Sequence, residues 1–513
     1  SCNMKLRAED QTQAKVLSRS LLLVALCLML LQITRGHNWG DDFASYIMQA
    51  QSLVDGTVPQ FMRDNSFTIF NSSEPVGPVA YPWGFPALLA PVYAMFGSSL
   101  FGFKLVGAGF YLLFLVNLWR GFGRPLAGDE RIFLLAIFCL NPVLLESVNE
   151  IGSDLPFLFF STLSLGLMNL AGQTSLANLS LRLAALGLAM GAAYQVRTNG
   201  ILLPMVYILL VLWSIAPRAL SARLFDFEDC LDPVRDHHRA TRLALLALPL
   251  VLFALVAAAF SAMLPDGQGS HVSLLADVSL KSIASNLGYY SFLITEFFFP
   301  FDWGKAIGLG LYVATAIFVL RGVGLAGGRS LHLLLYVAAT LALYVVWPFR
   351  QGLRFIFPLL PIYVYFLAIG LFRNPLEMPG LAKFSRPLAV LLPVVFFSVS
   401  LSMALRNIEK GWRPPEGPHR QHASEMLAFI RTNTGPGEVV AFRKPRAMRM
   451  IGERLSVRIL NPQSFGGTDI YVVDKTKRSS QLLPDERETL FRRQKAELIF
   501  ENRDFQAYRF LKN

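Results

Sequence analysis

The stretch VLSRSLLLVALCLMLLQITRGHNWGDDFASY, residues 16–46, decides how the rest of the chain is read. Its first part, Val16–Thr34, comes close to the roughly 20 mostly apolar residues that a bilayer-crossing helix needs. Lys5, Arg7 and Lys15 precede it and Arg19 lies in its first turn, which puts the amino end on the cytoplasmic side. No small-residue cleavage site follows Leu31 to Arg35, so the run reads as a retained anchor and not as a removed signal. Residues 1–15 form a cytoplasmic segment, with translation expected to start at Met4. Beyond the anchor, His37 to Tyr46 turns polar and carries the pair Asp41-Asp42. Phe43, Tyr46, Ile47, Ala50, Leu53 and Val54 then fall at helical spacing, which predicts an amphipathic helix along the membrane surface with both acids at its amino end. Acids in that place also cap free amides and favour the helix dipole, so the pair has a structural reading beside a chemical one.

The remainder repeats the apolar theme. Of 513 residues 53% are hydrophobic and only 16% charged, where soluble domains run nearer a quarter charged. The mean hydropathy is +0.45. This is the composition of a polytopic membrane protein. The net charge of +12 does not suggest nucleic acid, because the basic residues lie in short loops and a polar tail, where they set orientation and meet anionic head groups. Eleven apolar runs are long enough to propose as spans: Val16–Thr34, Phe101–Trp119, Ile132–Leu145, Leu155–Leu170, Leu181–Tyr194, Ile201–Ile215, Leu243–Leu264, Ala306–Leu320, Leu331–Trp347, Phe355–Phe372 and Leu388–Leu405. Phe85–Phe96 is too short to cross and reads as interfacial or re-entrant. With eleven spans, Arg120, Arg124 and Arg131, then Arg218, Arg223, Arg235, Arg239 and Arg242, then Arg321 and Arg329, then Arg373, Lys383 and Arg386 all fall inside, as the positive-inside rule requires.

The opposite side then receives the loops 35–80, 146–154 and 265–305 and everything from residue 406 on. The expected organisation is an all-α membrane domain over 16–405 and a small α/β domain over 406–513 on the outer, periplasmic or extracellular, face. Within that domain Ser424–Thr432 and Pro484–Arg493 read as helices, and Glu438–Phe442, Asp469–Asp474, Glu497–Glu501 and Phe505–Phe510 as strands.

A second acidic group, Glu146, Glu150 and Asp154, sits in the loop 146–154, and its spacing of four would align it on one face of a helix. Acids so close to an apolar boundary are costly unless they face water, a cation or a basic partner. Arg197, Arg350 and Arg354 fall on the same side at span ends. Their planar forks suit a phosphate, although snorkelling to the interface would also place arginines there. No Ser-His-Asp or Cys-His order and no G-x-x-x-x-G-K-[ST] loop occurs. The pairs His237-His238 and His419/His422 read as solvated loop residues, and the four cysteines form no ribbon or disulfide framework.

The order of these features is familiar. An inner-side amino terminus, an acidic pair before an in-plane helix, Tyr81-Pro82-Trp83-Gly84-Phe85-Pro86, the Glu-x-x-x-Asp-x-Pro of Glu150–Pro156, and Arg354 to Pro361 together resemble the GT-C membrane glycosyltransferases. Within them the chain looks most like the bacterial family related to protein O-mannosyltransferases and aminoarabinose transferases. The resemblance covers residues 16–405, and the tail looks like the small outer domain of many members. It implies transfer of a sugar from a polyprenyl-phosphate-sugar donor to a lipid, glycan or protein acceptor at the outer face. It also implies Asp41 as general base with Asp42 in support, Glu150 and Asp154 as the acids of the second loop, and Arg197, Arg350 and Arg354 as binders of the donor phosphate. No cofactor is certain, but Asp41, Asp154 and a phosphate could share a divalent ion, all being hard oxygen ligands. Asp42 stands where many relatives have glutamate. A secondary transporter or lipid flippase, and a catalytically silent scaffold of the same fold, are the competing readings.

Overall fold

The structure, a computed structural model, describes residues 2–74, 76–173, 175–215, 231–235, 237–267, 278–327, 330–373, 379–465, 467–477 and 481–511. Arg218, Arg223 and Arg329 of the expected inner loops, and residues 268–277 of the expected outer loop, lie outside the described residues.

All eleven apolar runs fall on helices. Among the described residues, seven helices are long and apolar enough to cross a membrane: Thr12–Gln32, Leu100–Phe122, Leu176–Val196, Arg239–Met263, Asp302–Ala326, Leu353–Phe372 and Lys383–Glu409. An eighth crossing can be made from Gly128–Leu140 and Pro142–Asn149, bent by 47°. The remaining three runs lie on Asp154–Met168, Thr198–Ser214 and Leu331–Val346, which are shorter. By length the count is therefore seven or eight, against the eleven expected. Asp154 opens the first of these and Arg197 precedes the second, and the Trp347-Pro348 step ends the third, since a residue before proline is pushed out of the helical region.

Helix pairs close tightly where glycines face each other. Lys305–Ala326 packs along Leu360–Phe372 so closely that a methyl at Gly322 would land on the carbonyl of Phe366, and one at Gly370 on that of Phe318. This is the small-residue approach expected where lipid gives no hydrophobic drive between helices.

A helix begins at the acidic pair, Asp42–Asp55, as the periodicity predicts. Phe43, Ala44, Ser45, Tyr46, Ile47, Gln49, Ala50 and Ser52 are all buried, more than the apolar face alone, while Val54 is exposed. Small residues at 44, 45 and 50 let neighbours approach on more than one side: Gly84–Phe96 packs against the helix and so does Pro445–Gly452.

The C-terminal part builds a five-stranded sheet from β1 (Val440–Ala441), β2 (Ser456–Val457), β3 (Ile470–Asp474), β4 (Ala496–Glu501) and β5 (Phe505–Phe510), in the order β2-β1-β3-β5-β4. The pairs β1–β2 and β1–β3 are parallel, whereas β3–β5 and β4–β5 are antiparallel. The helices Gln421–Asn433 and Pro484–Gln494 appear where periodicity predicts them. The helix Pro445–Gly452 and the short β2 were not expected. Proline at the first helical position starts that helix well, and its buried side takes in Arg446 together with Ala447 and Met448. Trp39 ties this unit to the first loop. Its indole lies edge-on to Phe442 and Phe505, with ring centroids 5.4 and 6.2 Å away, and the Arg443 guanidinium lies 4.9 Å over it. The buried core runs without a break from the membrane helices into the sheet.

Candidate active site

The site is held where the first and second loops are laced together. Lys104, buried within Leu100–Asn117, donates to the carbonyls of Thr34 (2.9 Å) and Gly36 (2.7 Å). The Asn149 amide donates to the Gln32 carbonyl, and its oxygen accepts from the Thr34 amide at 2.7 Å. His37 stacks on Phe43, with ring centroids 4.0 Å apart. Its Nε2 accepts from the Ile151 amide at 3.1 Å, so Nδ1 carries the proton toward the Asn38 carbonyl. Burial pushes this imidazole down to about 4, and it serves as a neutral strut.

The two aspartates then part company. Asp41 Oδ1 accepts from the backbone amides of Arg446 (3.1 Å) and Ala447 (3.2 Å), at the start of Pro445–Gly452, while Oδ2 is buried without a partner. Burial pushes the Asp41 carboxyl above its ordinary value, against the pull of Arg446 and Lys444. Asp42 faces the other way. Its Oδ2 accepts from Arg354 Nη2 at 3.2 Å, and its Oδ1 accepts from the Tyr81 hydroxyl at 2.7 Å, with Arg446 Nη1 at 3.8 Å. Burial raises this carboxyl too, but the guanidiniums of Arg354 and Arg446 and the Tyr81 hydroxyl outweigh it, and the net direction is down. Neighbouring carboxyls pushed apart in this way can take different tasks.

Arg354 is shared, its Nε lying 3.7 Å from Asp154 Oδ1. Arg197 Nη1 donates to the same Asp154 oxygen. A row Asp42–Arg354–Asp154–Arg197 results, from four segments distant in sequence. Asp42 is 34% and Arg354 40% exposed, so the row opens to solvent at that end. Tyr46, one turn along from Asp42, lines the same wall, with its hydroxyl 3.0 Å from Ser153 Oγ.

Other expected members stand apart. The segment of Glu146, Glu150 and Asp154 is not one helix: Ser147–Asn149 is a 3-10 turn and Glu150 is extended, so the three acids do not share a face. Extended backbone turns Glu150 toward the first loop, where it accepts from Asn38 Nδ2 and lies 3.6 Å from His37 Nε2. Arg350 is drawn to Leu280–Leu293. It donates to Asn286 (2.9 Å) and Ser285 (2.6 Å) and lies over the Tyr289 ring. Asp41 and Asp154, expected to share a divalent ion with a phosphate, have other partners here. Asp41 is committed to backbone amides, Asp154 to two guanidiniums, and among the described residues no three His, Cys, Asp or Glu side chains gather to hold a metal. Sequence reasoning missed Arg446 and Lys104 as members of the site. A basic run ahead of a proline, Arg443-Lys444-Pro445-Arg446, is the signal that points to the former.

No protein-family profile matches the chain, and no curated protein does. Solved structures do. The oligosaccharyltransferase of Archaeoglobus fulgidus, in its apo form, superposes with a TM-score of 0.58 at 10% identity, over 90% of this chain and 69% of its own. ArnT from Cupriavidus metallidurans bound to undecaprenyl phosphate superposes at 0.56 and 13% identity, over 95% of this chain and 97% of its own. Both are GT-C glycosyltransferases. This chain has a GT-C fold. ArnT is matched from end to end, so the similarity takes in the helices and the small C-terminal sheet together.

Proposed function

We propose that this chain is a membrane glycosyltransferase that moves a sugar from a polyprenyl-phosphate-linked donor to an acceptor hydroxyl or amine at the outer face of the membrane. One observation carries the reading: a carboxylate and two guanidiniums, Asp42, Arg354 and Arg197, stand in one row that opens to solvent beside apolar helices. The fold supports it, and so does the neighbour that was solved with undecaprenyl phosphate in place.

The chemistry follows from the row. A polyprenyl phosphate is its own leaving group, so the protein must take a proton from the acceptor and stabilise the phosphate as it departs. Asp42, and not Asp41, is the residue for the first task, because it faces the arginines and solvent while Asp41 is buried against backbone amides. Arg354 and Arg197 serve the second. In the resting site Arg354 neutralises Asp42 and holds its carboxyl down, which makes it a weak base. A donor phosphate that draws Arg354 away releases Asp42 to act when the donor is in place. Asp42 then accepts the acceptor proton, the acceptor atom bonds to the anomeric carbon, and the sugar–oxygen bond breaks with its electron pair going to the phosphate. Arg350 is left outside this scheme, and Glu150 orders the first loop. Residues 16–405 would supply the membrane body, and the domain from 406 on would sit at the outer face with the site.

The test is transfer by the purified chain of radiolabelled sugar from synthetic polyprenyl-phosphate donors. Candidate acceptors come from comparing the envelope glycans of a deletion strain with its parent. A deletion strain with unchanged glycans and lipids, and a pure protein that turns over no polyprenyl donor, would defeat the reading.

A further inference from the structure

Arg446 is unusual for a residue of the C-terminal unit. Its side chain is 0% exposed, yet it lies against the row described above. Nη1 donates to the Tyr81 hydroxyl at 3.1 Å and Nη2 to the Pro78 carbonyl at 2.7 Å. The guanidinium carbon is 5.1 Å over the Tyr81 ring, and Nε is buried without a partner. Burying a guanidinium so incompletely paired costs free energy that an apolar residue would save. Docking alone does not need it, since Trp39 already seats the sheet, and Asp41 receives the first amides of Pro445–Gly452 as a helix cap supplied from another segment.

The contacts form a relay. Arg446 donates to the Tyr81 oxygen, which turns the Tyr81 proton onto Asp42 Oδ1. That fixes one carboxylate oxygen and leaves Oδ2 toward Arg354 and solvent. The slot is cut for this guanidinium: Gly77 has φ +126°, and a Cβ there would come within 2.8 Å of Nη2 and 3.0 Å of Nη1 and of the Tyr81 hydroxyl. We propose that Arg446 is a positioning residue of the transfer site, lent by the C-terminal unit, which orients Asp42 through Tyr81. The acidic pair is then divided in labour, Asp41 seating the helix that carries Arg446 and Asp42 receiving its effect. The site is incomplete without the tail. This rests on the transfer reading above.

The experiment uses the full chain with Arg446→Gln, Arg446→Lys, Tyr81→Phe and the Arg446→Gln/Tyr81→Phe double variant. Transfer kinetics are recorded, and melting temperatures with and without undecaprenyl phosphate. A misaligned base should lower kcat roughly tenfold to a hundredfold in each single variant. Donor KM and the rise in melting temperature caused by the lipid should stay at wild-type values. The double variant should lose little beyond either single one, because both break the same relay. Tyr81→Phe keeps the ring and its packing, so the relay stays testable if the arginine variants fold poorly. A wild-type kcat in folded Arg446→Gln or Tyr81→Phe overturns the proposal, and so does a loss confined to KM, which would make Arg446 a donor-binding residue. If the wild-type chain transfers no sugar, the transfer reading fails instead. The relay is then judged by melting alone: additive shifts of the two single variants refute it, and non-additive shifts uphold it.

Discussion

Replacing Arg354 by alanine removes the one group that touches both acids of the row. In the resting protein the change should be mild. Its contacts with Asp42 at 3.2 Å and Asp154 at 3.7 Å are partly solvated, so the stability lost should be about 0–1 kcal/mol, the range for exposed ion pairs. Asp154 keeps Arg197, and Asp42 keeps Tyr81 with Arg446 behind it, so neither carboxylate is stranded. Donor binding is a different matter. A hydrogen bond to a charged group contributes roughly 1.5–3 kcal/mol, and at 1.4 kcal/mol per tenfold its loss should weaken binding by about 10- to 150-fold. Arg354→Lys should recover only part of this, lacking the bidentate fork. The assay is binding of undecaprenyl phosphate to purified wild-type, Arg354→Ala, Arg354→Lys and Arg350→Ala proteins, followed by intrinsic fluorescence or thermal stabilisation. Arg350→Ala is the internal control, because Arg350 is engaged with Ser285 and Asn286 and should bind as wild type. Unchanged affinity in Arg354→Ala, or equal losses in both alanine variants, would refute the assignment.

Three further outcomes are expected. The Asp41 carboxyl is pushed up by burial, so its ionised form weakens the fold above that raised value; wild-type protein should gain stability as pH falls from neutral toward the ordinary carboxylate range near 4. Asp41→Asn should lack that gain and melt at or above wild type at pH 7.5, and an identical pH profile of melting in the two proteins would remove the argument. Gly322→Ala or Gly370→Ala should destabilise by about 1–3 kcal/mol through overpacking against a helix backbone, whereas an unchanged melting temperature would mean that the pair Lys305–Ala326 and Leu360–Phe372 is not in such close contact. In a cysteine-free background, a cysteine at Arg503 should react with an impermeant reagent from outside and one at Asp129 only after permeabilisation; the reverse pattern would put the sheet on the cytoplasmic side.

The sequence announces the membrane helices because each must hide its backbone among some twenty apolar residues, a signal strong enough that all eleven runs lie on helices. The runs 155–170, 201–215 and 331–347 were already short in the sequence, and they lie on helices too short by length to count as full crossings on their own. Asp42, Asp154, Arg197 and Arg354 were legible as charges at span ends on one side. Their partition was not. Whether Asp41 or Asp42 meets the arginines depends on which way a helix faces once other elements pack on it, and periodicity is silent on that. Glu150 and Arg350 look equivalent to their neighbours in sequence, but are captured by Asn38 in one case and by Asn286 and Ser285 in the other. Arg446 was hidden for the opposite reason: a fully buried arginine looks in the sequence like any solvated residue of a basic tail.

The account turns on Asp42 taking the acceptor proton. With a polyprenyl-phosphate sugar in excess and the acceptor supplied, sugar transfer is measured for purified, folded Asp41→Asn and Asp42→Asn. Asparagine keeps the shape of either side chain and still accepts the amides that Asp41 receives, but it takes no proton at neutral pH. Asp42→Asn should lose the ~10²–10⁴ in turnover typical of a missing general base, while Asp41→Asn stays near wild type. Near wild-type turnover in Asp42→Asn, or a loss confined to Asp41→Asn, would contradict the account.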